Sequence, residues 1–228
     1  MDWKLKYEEI VEELGLDRIR DRKAAEVLDG LVEEGNLGEL EERIRDRRVI
    51  VFGAGPSLKD DIGRVKQQGL VDKCTLIAAD GAVKALMEEG IVADINVTDL
   101  DGDLRAIIWA NGEGCRTVVH AHGDNISKLR DVVPKLRNVL GTTQTEAFGK
   151  LHNLGGFTDG DRCVSMALEV GANRIILAGM DFGREIGEYS GEYNYERKIK
   201  KLEIGRKIIA ELKKEFPGKI KELRRGGI

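Results

Sequence analysis

RRVIVFGAGPSLKDDI, residues 47–62, reads as a buried strand running straight into a helix. Val49 to Phe52 is a short β-branched and aromatic run, long enough for a strand and too short for a helix. Gly53-Ala54-Gly55-Pro56-Ser57 is the turn, and a helix opens near Leu58. This is the pattern of the first turn of a Rossmann-like unit. There, glycines let the backbone approach a phosphate and helix N–H groups point at it. Pro56 presets the first turn, and Ser57 caps the helix or binds an anion. Leu58 stands where a third glycine of a dinucleotide fingerprint would be, so a plain strand-to-helix turn is the alternative.

Five further strand-like runs follow; one, within 136–146, runs into a polar turn, and acids sit at the ends of the other four. Leu76 to Ala79 runs into Asp80-Gly81. Ile91 to Val97 runs into Thr98-Asp99-Leu100-Asp101-Gly102-Asp103, with Asp94 read either within that strand or in the turn before it. Val118 and Val119 lead to His120 and His122, which alternate and so face one side, and then to Asp124 and Asn125. The stretch 175–181 ends in Asp181. Strands alternating with helical segments imply an α/β fold: a Rossmann-like, open, mostly parallel sheet flanked by helices. In such sheets ligands bind beyond the carboxyl ends of the strands. Asp80, Asp99 and Asp101 are therefore expected to converge there on a hard cation. A few carboxylates plus water and phosphate oxygens suit Mg²⁺. A solvated acidic turn is the alternative for Asp99 and Asp101 alone. Asp103 reads as the N-cap of the next helix. His120, His122 and Asp124 could ligate zinc, contact phosphate or a heterocycle, or hydrogen-bond neighbouring acids.

Residues 1–48 read as a helical region, with periodic runs at 3–14, 24–35 and 37–47 and a helix end at Gly15. They are expected to form a cap or an oligomer surface and propose no chemistry. Residues 49–185 form the α/β core, and 186–228 a polar, tyrosine-bearing segment and an amphipathic helix ended by Pro217-Gly218. The segment 183–196 reads as a lid or an interface. The basic residues of the last helix read as a solvated face, with a patch near a nucleotide as the alternative. Thr142, Thr143, Gln144 and Thr145 offer hydroxyl and amide groups to an amino-oxo heterocycle. Thr158 or Asp159 caps a helix, and Arg162 can donate paired hydrogen bonds to phosphate.

The 228 residues carry a formal charge of −4 with 34% charged side chains, which disfavours a nucleic-acid footprint. Three cysteines, Cys74, Cys115 and Cys163, match no zinc spacing and suit a reduced interior. No leader and no long apolar run stands in the sequence, so a soluble, cytoplasmic protein without membrane contact is expected. The Asp-Phe-Gly at 181–183 lacks the other segments of a protein kinase.

The pieces VFGAGPSL, AADGA, DINVTDLDGD, VVHAHGDN, GTTQT, GGFTDGDRC and IILAGMDFG, taken in order across residues 49–183, resemble the archaeal 6-hydroxymethyl-7,8-dihydropterin diphosphokinase family. The fold of that family is similar to that of thiamin pyrophosphokinases. Asp80 resembles the family's first sheet-edge acid. Asp99 and Asp101 resemble the paired metal-binding acids of thiamin pyrophosphokinases, although Thr98 and Gly102 stand where those enzymes have glycine and serine. The resemblance implies ATP and a reduced pterin as substrates, Mg²⁺ as cofactor, and a place in tetrahydromethanopterin or folate-type cofactor synthesis. The pterin CH₂OH oxygen would attack the β-phosphorus of ATP and release AMP. Asp80, Asp99 and Asp101 would hold the metal, and Asp101 or Asp124 would take the hydroxyl proton. Arg162, His120, His122 or a lysine would stabilise phosphorus or the leaving AMP. Asn125, Thr143, Gln144 or Asp181 would read the pterin edge. Gly53, Gly55 and Ser57 would lie at the phosphates, and Thr142 would line the pocket. A homo-oligomer, most simply a dimer, is the expected assembly. A thiamin pyrophosphokinase, a metal-dependent nucleotide-sugar transferase and a non-enzymatic nucleotide-binding module remain the alternatives.

Overall fold

The computed structural model describes residues 1–33, 37–191 and 193–223. In it the opening stretch forms strand β1 (Arg48–Phe52) followed by helix α4 (Leu58–Gln67). Three helices precede it: α1 (Trp3–Leu14), α2 (Arg18–Leu31) and α3 (Leu37–Ile44). After it come β2 (Thr75–Ala79), α5 (Ala82–Glu88), β3 (Ile95–Thr98), α6 (Leu104–Gly112) and β4 (Arg116–Ala121). The chain continues through α7 (Ile126–Val132), β5 (Leu140–Thr143), α8 (Asp159–Glu169) and β6 (Arg174–Ala178). It ends with α9 (Tyr195–Glu215) and β7 (Ile220–Glu222).

The seven strands form one sheet in the order β5-β4-β3-β2-β1-β6-β7, and every neighbouring pair is parallel. The order reverses at β1, whose neighbours are β2 and β6. That is the switch point where crossovers diverge to opposite faces and leave a crevice. Alternation along β1 shows both faces being buried. Ile50 and Phe52 join a core with Leu58, Leu86, Ile107 and Leu129, while Val49 and Val51 join one with Ile44, Val164, Ile175 and Ile208.

Two sequence expectations shift. The strand after α5 begins at Ile95, not Ile91, because Asp94 belongs to the turn and its Oδ2 accepts from Leu76 N–H (2.8 Å). The tail supplies edge strand β7, which pairs Ile220 with Ile175; three residues with little apolar signal did not announce it. The N-terminal region is built into the core: Ala24, Ala25 and Leu28 of α2 are fully buried. The proposed end of α2 at Glu34 and Gly35 lies outside the described residues. No helix among the described residues is long and apolar enough to cross a membrane.

Candidate active site

Asp80 follows β2 with φ 43°, and Leu100 sits between Asp99 and Asp101 with φ 67°. Positive φ is tolerated by Asp but is a true outlier for leucine, at a cost of about 1–3 kcal/mol. Burial holds it: the Leu100 side chain is fully enclosed in the core beneath α5 and α6. Its N–H bonds Thr98 Oγ1 (2.8 Å), and Asp101 N–H bonds Asp99 Oδ1 (3.2 Å). The kink points the two aspartates apart. Asp99 turns inward, and one oxygen each from Asp80, Asp99 and Asp159 lie within 4.8 Å of one another. Asp101 is exposed, pairs with Lys128 (2.7 Å), and groups instead with Asp99 and His122. The expected trio of Asp80, Asp99 and Asp101 is thus two clusters sharing Asp99. Asp159 is the candidate ligand that sequence reasoning missed, because next to Thr158 it looks like a second capping residue. Thr158 is the N-cap, and Asp161 Oδ2 accepts from its N–H (3.0 Å) and hydroxyl (2.6 Å). Asp103 does cap α6, accepting from Arg105 N–H (3.0 Å) and Ala106 N–H (3.2 Å).

Three carboxylates this close cannot all ionise without a cation. Burial, then the Asp99 charge, pushes Asp80 up to about 7, against hydrogen bonds from Thr98 and Gly102. Asp159 is raised well above the usual carboxylate range by burial and by the charges of Asp99 and Asp80. Burial also opposes the Asp99 charge. The close contact with His122, with the Lys201 charge adding, outweighs it and holds Asp99 well below its ordinary value. His122 Nε2 lies 3.3 Å from Asp99 Oδ2, and its Nδ1 accepts from Asp124 N–H (3.3 Å). Nε2 then carries the ring proton, close to Asp99 Oδ2 but without a hydrogen bond to it. Buried oxygens with raised affinity for a positive charge fit a hard divalent ion.

Two cavities meet at Asp99. The larger, about 280 Å³, lies over the switch point; Gly53, Gly55, Asp80, Asp99, Asp101, His122, Asp124 and Asp181 are on its walls. α9 contributes Arg197, Lys198 and Lys201 to its wall, and residues 185–187, 189–191, 193 and 194 line it as well. The smaller, about 240 Å³, holds His120, Gln144 and Arg162. Asp99, His122, Asp124, Phe157, Arg197 and Lys201 line both. The basic residues of α9 are therefore not only a solvated face. Their signal was present in the spacing, since 197, 198 and 201 share one side of a helix.

Ser57, Asn125, Thr142 and Thr143 line neither of these two cavities. They brace the site from behind. Asn125 Nδ2 donates to the carbonyls of Asp99 and His120 (both 2.8 Å), and its Oδ1 accepts from His122 N–H (3.1 Å). Thr142 donates to Val119 O (3.1 Å), and Thr143 pairs with Thr145 (2.9 Å). Arg162 is buried, with its terminal nitrogens on Gly156 O (3.2 Å) and Phe157 O (2.8 Å). The glycine turn also differs from a phosphate cradle. Gly53 N–H donates to Ala178 O (2.9 Å) and Gly55 N–H to Gly179 O (2.8 Å). Ser57 gives both N–H (2.9 Å) and hydroxyl (2.7 Å) to Asp181 Oδ2. The anion at the start of α4 is the protein's own carboxylate. Gly55 is needed for that approach, since a Cβ there would collide with Asp181 Oδ2 and Gly179 O.

A family profile described as "6-hydroxymethylpterin diphosphokinase MptE-like" matches residues 24–187. The chain belongs to this family. Three archaeal relatives named 6-hydroxymethyl-7,8-dihydropterin pyrophosphokinase agree with it. The one from Methanocaldococcus jannaschii is 43% identical over 228 residues, 93% of this chain and 95% of the relative. That from Methanothermobacter thermautotrophicus is 47% identical over 189 residues, 82% and 81% of the two chains. That from Pyrococcus furiosus is 42% identical over 230 residues, 97% of each. Among solved structures, the MAf glycosyltransferase from Magnetospirillum magneticum AMB-1 aligns with a TM-score of 0.51 at 17% identity. The match covers 85% of this chain and 39% of that one. At that identity the likeness is one of fold. The family match spans Asp80, Asp99 and Asp159 but leaves out α9, whose basic face completes the larger cavity.

Proposed function

We propose that this chain is an ATP-dependent diphosphokinase that transfers diphosphate to the hydroxymethyl group of 6-hydroxymethyl-7,8-dihydropterin and releases AMP. The observation that carries the reading is the Asp80–Asp99–Asp159 cluster at the junction of two cavities. Two substrates can then meet at one charge-neutralising point. The relatives' shared name supplies the chemistry. Mg²⁺ fits the donor set, and when bound it would neutralise phosphate oxygens and hold ATP in line.

The chain's own residues divide the remaining work. ATP lies in the larger cavity, its phosphates toward Arg197, Lys198 and Lys201 and its purine against the apolar wall of Phe182, Ile186 and Tyr193. The pterin CH₂OH oxygen attacks the β-phosphorus, an O–P bond forms, the bond to the α-phosphate bridge oxygen breaks, and AMP leaves. Asp124, on the wall of both cavities, takes the hydroxyl proton in preference to Asp101, which lines only the larger one. His122 keeps Asp99 ionised and oriented. Arg162 fixes the Gly156–Phe157 backbone at the start of α8, and with it Asp159. The product would feed tetrahydromethanopterin or folate-type cofactor synthesis.

The test is incubation with ATP, Mg²⁺ and the reduced pterin, following nucleotides and pterin diphosphate by chromatography. AMP should form in step with pterin diphosphate and stop with EDTA or when thiamin replaces the pterin. ADP as the nucleotide product, or AMP formation indifferent to the pterin, would overturn the proposal.

A further inference from the structure

The smaller cavity opens between the α1–α2 turn and the ends of β4 and β5, and its wall carries polar atoms that the phosphate chemistry does not use. His120 is 1% exposed, and its Nδ1 lies 3.1 Å from Thr142 Oγ1. The Thr142 hydroxyl has one hydrogen and gives it to Val119 O. Nδ1 must then be the donor, which leaves Nε2 of a neutral ring as a bare acceptor. That Nε2 has no hydrogen-bond partner among the described residues. Burial, aided by the Arg162 charge, holds the His120 ring well below its ordinary pKa, which agrees with the neutral form. Arg162 is 4% exposed, and its Nε–H, on the same wall, is likewise without a partner among the described residues.

Asp21 of α2 adds a carboxylate, 5% exposed, in a region from which no chemistry was expected. Its Oδ2 accepts from Tyr7 Oη (2.6 Å) and Gln144 Nε2 (2.8 Å). Its Oδ1 accepts from Gly123 N–H (2.7 Å) and retains a second lone pair. Buried polar atoms of this kind cost about 1–3 kcal/mol each when unmatched, so the wall calls for a ligand with complementary groups.

We infer that this cavity binds the flat 2-amino-4-oxo ring of the pterin, with Asp21 and His120 Nε2 accepting from its N–H groups and Arg162 Nε–H donating to its oxygen or ring nitrogens. The inference rests on the transfer proposed above. The 2-amino-4-oxo edge offers an exocyclic amine beside a ring N–H, two donors for the free lone pair of Asp21 Oδ1 and for His120 Nε2. Adenine has the amine without the neighbouring ring N–H, which assigns the nucleotide to the other cavity. Phe157, on both cavities, supplies a ring face at the boundary. The α1–α2 region is therefore part of the specificity site.

Binding of 6-hydroxymethylpterin to the full chain, followed by its fluorescence, tests this without turnover. Asp21→Asn and His120→Phe should each weaken the pterin at least tenfold and leave Mg-ATP affinity within about twofold, with folding checked by thermal melt. Asp21→Asn turns an amide toward existing donors and can unfold the chain, so a second arm uses only the wild type. 6-Hydroxymethyllumazine, with an oxo group in place of the 2-amino group, should bind at least tenfold more weakly than the pterin. Equal affinity for the two rings, or variants that lose ATP and pterin together, would overturn the inference. Pterin-dependent AMP formation with a pterin affinity indifferent to Asp21 and His120 overturns the cavity assignment alone. Absence of both pterin binding and AMP formation overturns the transfer as well.

Discussion

Replacing Asp80 with Asn should change how the metal-free protein's stability depends on pH, and the size follows from the site. The folded-state pKa of Asp80 is raised to about 7 by burial and by Asp99, against an ordinary 3.8. A carboxyl with a raised folded pKa contributes stability that is fully present below its unfolded pKa. That contribution is lost as pH rises through the folded pKa. Between pH 5 and pH 8 the loss is about 1.4 kcal/mol per pH unit over roughly two units, or roughly 2–3 kcal/mol. Asp99, depressed by His122, is ionised in both states across this window and adds no slope. Asn cannot ionise, so the variant lacks the Asp80 slope. It does carry a constant penalty, because Thr98 Oγ1 donates to Asp80 Oδ1 (2.5 Å) and Gly102 N–H also donates to the carboxylate. The amide cannot accept from both donors, at about 1 kcal/mol. The readout is therefore the difference in slope, not the offset. Melts in EDTA at pH 5, 6, 7 and 8 should show wild type falling relative to Asp80→Asn by roughly 4–12 °C, at about 2–4 °C per kcal/mol for a chain of this size. Saturating Mg²⁺ should remove most of that fall. Parallel pH profiles for the two proteins would refute the electrostatic account of the cluster.

Other perturbations separate the parts of the site. Asp159→Asn should weaken divalent-ion binding by calorimetry and lower transfer on the order of a hundredfold, whereas an untouched cation affinity would remove Asp159 from the ligand set. Lys198→Met, at a lysine that lines only the larger cavity, should raise KM for ATP about tenfold to a hundredfold and leave KM for the pterin nearly unchanged, the scale of one charged hydrogen bond. Leu28→Ala, in the fully buried face of α2, should cost about 2–5 kcal/mol in urea unfolding and keep a single transition. A separate early transition would mean that the N-terminal helices fold apart from the sheet.

Most of the sheet was legible because β1, β2, β3 and β6 announce themselves as apolar runs closed by Gly or Asp, whereas edge strand β7 does not. The acids at strand ends were legible for the same reason, as was Asp103, whose cap role follows from its place before an apolar helix. Asp159 was not, because two adjacent capping residues give one local signal and only the fold decides which of them faces β2 and β3. Asp21 looks like any acid on an amphipathic helix. What distinguishes it is Gly123, brought in from a loop more than a hundred residues away. Leu100 carried no signal at all, since positive φ in a leucine is imposed by packing. Tertiary contacts, absent from any local window, select these residues.

The turn after β1 shows why the fold alone misleads about phosphate. By pattern, Gly53 to Ser57 should offer N–H groups to a nucleotide, and the α4 dipole should favour an anion there. An anion is there, but it is Asp181, carried in by β6 and held by Ser57. With Gly53 and Gly55 N–H groups spent on the chain between Ala178 and Gly179, the turn has no free backbone donors at these positions. In the transfer proposed above, phosphate recognition then falls to Arg197, Lys198 and Lys201 of α9 and to a cation held by the acids. A Rossmann-like turn here serves to seat Asp181 and bring β1 and β6 together, while the positive charge offered to the proposed nucleotide comes from a helix outside the matched family region.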